Sequence, residues 1–112
     1  KSAAGRKKVA DMTKSGIDSY DKKNYSEAIG TFKNAIGIFP SHVGLNLNLV
    51  QAVLAEAKAN GEKVGFEKLC RSSLDRISTI ADNDPQYARY MHLREQMEEQ
   101  FKLDMDGLDI EL

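Results

Sequence analysis

The chain has 112 residues and a formal charge of −1 at neutral pH, with 41% hydrophobic and 29% charged side chains. That describes one small globular domain rather than a disordered or collagen-like segment. One cysteine excludes an internal disulfide framework or a multi-cysteine metal site, the charge gives no overall drive toward nucleic acid or membrane, and no apolar run approaches the roughly 18 residues of a bilayer span.

Val9, Met12, Thr13, Gly16 and Tyr20 recur at helical spacing and predict a first amphipathic helix over about 6–22. Lys22-Lys23-Asn24 reads as a turn. Ser26 is a candidate N-cap for a second helix over about 26–38, with Glu27 suited to the dipole in its first turn. Ala28, Ile29, Phe32, Ala35, Ile36 and Phe39 mark its apolar face, and Pro40 ends it. Ser41 is a candidate cap for a third helix to about Ala59. Val43, Leu45, Leu47 and Leu49 alternate with Gly44, Asn46 and Asn48 as a strand would. Val43, Leu47, Val50, Leu54 and Ala57 nevertheless continue at helical spacing, which predicts a helix buried on more than one side. Asn60-Gly61 closes it.

Val64 to Ile80 predicts a fourth helix with Phe66, Leu69, Cys70, Ser73, Leu74, Ile77 and Ile80 on its apolar face. Asp82-Asn83-Asp84-Pro85 is a turn. A fifth helix follows over about Pro85–Lys102, with Tyr87, Tyr90, Met91, Arg94, Met97 and Phe101 as its inner stripe, Arg94 by snorkelling. The organisation is therefore terminal residues 1–5, an all-α domain over 6–102, and an acidic tail over 103–112. Charge is uneven: residues 1–14 hold five basic side chains against Asp11, and residues 95–112 hold seven acidic ones against Lys102. Beginning at Lys1 without an apolar leader, the sequence reads as a cytoplasmic domain excised from a longer protein.

Residues 16–40, GIDSYDKKNYSEAIGTFKNAIGIFP, resemble a tetratricopeptide repeat. Gly16, Tyr25, Ala28, Phe32, Ala35 and Pro40 stand at the spacings of that motif. Met12, Ser15 and Ser19 depart from its tryptophan, leucine and tyrosine, with Tyr20 one residue beyond the last. The motif implies that Gly16 and Ala28 sit where two helices cross closely, that Phe32 fills the space beside them, and that Ala35 makes room for the next helix. A second repeat is degenerate: 45 residues separate Pro40 from Pro85, about eleven more than the usual period. Counted back from Pro85, Ser73 and Ile77 take its small and aromatic positions. The resemblance implies a right-handed α-α superhelix of about two such helix pairs plus a capping fifth helix. One good repeat followed by FPSHVGLNLNLVQAVL and a long irregular helix is also similar to the repeat region that follows the receiver domain in some bacterial response regulators.

In that family the first helix of each pair lines a concave groove for an extended peptide or a partner helix. Carried onto this sequence, the groove positions are Thr13, Lys14 and Ile17, then Leu47, Asn48 and Gln51, then Arg89, His92 and Gln96. The implied role is an adaptor that binds a protein partner; the alternative is a homo-oligomerisation or scaffold element, such as a homodimer, with no peptide ligand. Ile17 and Leu47 would supply apolar contact, and Asn48, Gln51 and Arg89 orientation. The family's Lys–x–x–x–Asn carboxylate clamp is not expected, because Asp18 follows Lys14 at that spacing. No enzyme, cofactor or metal is expected. Cys70 lies on an apolar face, His42 at a helix start and His92 on a polar face. The Asp104–Glu111 stretch imitates a calcium loop, but Gly107 falls two positions early. Arg6-Lys7-Lys8 lacks the interleaved aromatics of a nucleic-acid site.

Overall fold

The computed structural model describes residues 2–101, and among these the chain forms helices and turns only. Five helices follow in order: α1 (Ala3–Asp21), α2 (Tyr25–Ile38), α3 (Val43–Asn60), α4 (Phe66–Arg76) and α5 (Tyr87–Gln100). Lys1 and residues 102–112, which include the expected end of the fifth helix at Lys102 and the calcium-like stretch, lie outside the described residues.

The helix starts differ from those expected. The first begins at Ala3, inside the segment read as terminal, because the Ser2 hydroxyl accepts from the Gly5 amide at 3.0 Å. The second begins at Tyr25 and has Asn24 at its N-cap, so Ser26 lies inside it and does not cap it. The third is capped by His42 rather than Ser41: Nδ1 accepts from the Leu45 amide at 3.1 Å. An imidazole nitrogen thus replaces the hydroxyl that sequence preference favours. The fourth begins at Phe66, after Gly65 at φ 93°, and leaves Val64 fully exposed. It stops at Arg76, and Ile77–Ile80 turn instead. Pro85 stands in the turn before α5, where Asp84 Oδ1 accepts from the Gln86 amide at 2.8 Å.

α1 and α2 run antiparallel. Ser19 Oγ donates to Glu27 Oε1 at 2.7 Å, and the Tyr20 and Tyr25 rings meet edge-on at 5.2 Å. Farther from that turn Gly16 faces Phe32 so closely that an added Cβ would stand 2.8 Å from the ring Cζ. Ala28 and Ala35 are fully buried. The close approach implied at Gly16 and Phe32 is therefore present. α3 runs antiparallel to α2 and occupies the centre, with α4 and α5 also packed on it. Its alternating segment is helical, and Leu45, Asn46, Leu47, Leu49 and Val50 are all buried because neighbours surround it. The inner stripe of α5 is Tyr90, Leu93, Met97 and Phe101. Met91 and Arg94, expected inside, are exposed, and Arg94 lies over the Tyr90 ring at 5.7 Å.

The buried polar groups are paired. Asn46 Nδ2 donates to the Pro40 and His42 carbonyls at 2.9 and 2.8 Å, and its Oδ1 accepts from Arg76 Nε at 2.9 Å. Asn46 thereby fastens the α2–α3 turn to the end of α4. Glu56 accepts from Ser26 Oγ, Asn60 Nδ2 and Lys63 Nζ at 3.2, 2.9 and 3.1 Å. Those bonds outweigh its burial and hold its carboxyl below the ordinary pKa of 4.5.

Candidate partner-binding groove

Side-chain pairs fix how α1, α3 and α5 lie. Gln51 Nε2 on α3 donates to the Tyr20 hydroxyl on α1 at 3.2 Å. Arg89 Nη2 on α5 donates to Asn48 Oδ1 at 2.7 Å and to Gln51 Oε1 at 2.8 Å. Farther along, Gln100 Nε2 donates to the Leu54 carbonyl at 3.3 Å. Both pairings advance in the same chain direction, so α5 runs parallel to α3, and the three helices share one face.

Three clefts join along that face. The first, of about 640 Å³, lies between α1 and the α2–α3 turn and is lined by the apolar Val9, Ala10, Ile17 and Phe39 together with Arg6, Thr13, Lys14 and His42. Ile17 is 42% exposed there. Ile17 is shared with the second cleft, of about 240 Å³, where Tyr20, Asn48, Gln51 and Arg89 meet. Tyr20, Gln51 and Arg89 are shared in turn with the third, of about 310 Å³, which His92, Gln96, Leu54 and Lys58 complete. The result is a trough with an apolar end, a polar waist and a mixed far end.

Chemically, the waist is a preset hydrogen-bonding bar. Arg89 is half-buried, and this lowers its pKa from the usual arginine range, against an opposing pull from Tyr20. It remains a cation at neutral pH. Among the described residues its hydrogen bonds go to neutral amides, and the one carboxylate lining the same cleft is the exposed Asp21. A carboxylate entering the waist would therefore find a positive charge in a partly desolvated setting, where Coulomb attraction is stronger than in bulk water.

Eight of the nine residues expected for the groove line this trough: Thr13, Lys14, Ile17, Asn48, Gln51, Arg89, His92 and Gln96. Leu47 does not. It is fully buried, because one helical step rotates it about 100° from Asn48 into the core. Its place as an apolar contact goes to Val9 and Phe39. Thr13 directs its hydroxyl to the Val9 carbonyl at 2.7 Å, so it offers a methyl group rather than a donor. Several wall residues escaped the repeat-based mapping, among them Arg6, Val9, Phe39, Asp21, Lys58, Tyr20 and His42. Tyr20 lies one turn from Ile17, a spacing that places both on one face, and His42 enters through its capping geometry.

Elsewhere the structure offers little chemistry. Cys70 is buried, and burial pushes its thiol up to about 12. Arg71, on α4, bonds Glu67 and Glu98, which raises its pKa. Comparison with protein-family models, curated proteins and solved structures finds no match.

Proposed function

We propose that this chain is a tetratricopeptide-type interaction module, with its two helix pairs and the capping α5 forming a short right-handed superhelix. It binds a protein partner by taking an extended segment or a helix into the trough on α1, α3 and α5. The observation that carries this reading is the polar waist: Arg89 held against Asn48 and Gln51 across two helices, beside an open apolar cleft at Ile17. Arg89 both ties α5 to α3 and leaves a half-buried cation on an open face, where an acidic group of a partner can reach it. Arg6 and Lys14 at the apolar end, with Arg89 and Lys58 beyond it, favour a segment that combines apolar and acidic side chains.

The resemblance to response-regulator repeat regions extends the proposal to the parent protein. There the module acts as the cytoplasmic output or adaptor part of a two-component system, downstream of a phosphoacceptor domain. The test is affinity capture with the wild-type chain and with Asn48→Ala/Arg89→Ala, followed by calorimetric titration of the captured protein. Loss of binding in a variant whose circular dichroism and thermal unfolding stay cooperative supports the groove. Undiminished binding by such a variant sinks it.

A further inference from the structure

The cleft of about 640 Å³ beside α1 falls in the size range of small-molecule sites, roughly 300–1,000 Å³. Its lining is apolar at Val9, Ala10, Ile17 and Phe39. Thr13 adds a methyl group, because its hydroxyl donates to the Val9 carbonyl at 2.7 Å. The α1 residues recur at helical spacing, so they form one stripe about 16 Å long from Arg6 to Ile17. Such a floor suits an extended chain better than a compact ring system.

The polar side chains that remain are cations and donors. Arg6 and Lys14 both line the cleft, and neither Asp11 nor Asp18 does. Asp11 is instead paired with Lys7 at 2.9 Å. His42 adds a donor: its Nδ1 accepts from the Leu45 amide at 3.1 Å, so the neutral ring carries its proton on Nε2 and offers a ligand only an N–H. A carboxylate accepts from all three groups, whereas an ammonium head would meet like charge. We propose that this cleft binds a free alkyl carboxylate, an unbranched fatty acid of medium length. Its chain lies on Val9, Ala10, Ile17 and Phe39, and its head group lies among Arg6, Lys14 and His42. The proposal uses this cleft alone and holds whether or not the trough also takes a protein segment. A bound acid would occupy the apolar end that such a segment needs.

The experiment titrates the full, isotope-labelled chain with octanoate below its micelle concentration. Octanol and octyltrimethylammonium run in parallel, keeping the alkyl chain and changing the head. Octanoate is expected to bind saturably, with the largest amide shifts at Val9, Ala10, Thr13, Ile17 and His42. Octanol should bind roughly three- to tenfold more weakly, the range that two exposed cations supply, and the ammonium more weakly still. Added salt should narrow the gap between octanoate and octanol. Ala10 is exposed, so Ala10→Glu puts a carboxylate into the cleft without disturbing the core and should weaken octanoate by about tenfold or more. Lys8→Gln removes the same charge away from the cleft and should change binding by less than about twofold. If Ala10→Glu does not unfold cooperatively, Lys14→Gln takes its place, expected to weaken octanoate about threefold and leave octanol unchanged. Equal binding of the three heads, shifts spread over other faces, or a loss in Lys8→Gln as large as in the cleft variant overturns the proposal.

Discussion

Gly16→Ala perturbs the crossing on which the groove wall rests. The added methyl would stand 2.8 Å from Phe32 Cζ and 2.9 Å from Cδ1, and closer still to Cε1. Phe32 is buried and cannot swing into solvent without opening the core. Two effects oppose each other. Alanine is better than glycine inside a helix by about 1 kcal/mol. Overpacking against a fixed ring costs about 1–3 kcal/mol, and the large overlap here places it in the upper part of that range. The net expectation is a loss of about 1–2 kcal/mol. Gly30→Ala is the internal control, since its Cβ would meet nothing within 4 Å. It should gain about 1 kcal/mol from the same propensity term. Urea melts of both variants measure the difference, which should also appear as a gap of roughly 10 °C or more in thermal midpoints. Combining Gly16→Ala with Phe32→Leu should recover part of the loss, read as a coupling energy in a double-mutant cycle. A Gly16→Ala protein as stable as wild type would refute the close approach of α1 and α2.

Further predictions concern the buried polar groups and the thiol. Glu56→Gln removes the charged acceptor of Lys63 and should cost about 1.5–3 kcal/mol at neutral pH, measured by urea titration. The folded carboxyl lies below 4.5, so its contribution is fully present above that pH and is lost as pH falls through the lower folded value. Glu56→Gln should therefore flatten the acid limb of the stability curve, and an unchanged limb would show that another group produces it. Asn46→Ala leaves the Pro40 and His42 carbonyls and Arg76 without this partner, for a loss of about 2–3 kcal/mol; equality with wild type in thermal scans would contradict the fastening role. Cys70 should resist a soluble disulfide reagent in the native chain at pH 8 and react on unfolding, and rapid native reaction would contradict its burial.

Much of the helix order was legible because helical periodicity survives even where α3 imitates a strand. That imitation has a physical cause. A helix enclosed by neighbours needs apolar residues on several sides, so their spacing no longer identifies one face. Within it, Asn46 and Asn48 look equivalent in sequence but lie about 200° apart around the axis. One is consumed by the α2–α3 turn and Arg76, and the other reaches Arg89. Local spacing can separate their faces but cannot say which face is solvent. Leu47 was misassigned for the same reason. The caps were least legible, because His42 caps through its own ring in competition with the stronger candidate Ser41. The bonds of Glu56 to Ser26 and of Asn46 to Arg76 each span 30 residues, and no periodicity encodes them.

The central claim is that the trough on α1, α3 and α5 is the binding face. Amide chemical-shift mapping of the isotope-labelled chain, titrated with the captured partner, tests it most directly. The account predicts that the largest shifts fall on Ile17, Asn48, Gln51, Arg89 and His92. Shifts confined to the outer surfaces of α2 and α4, around Lys33 and Ser72, would contradict it.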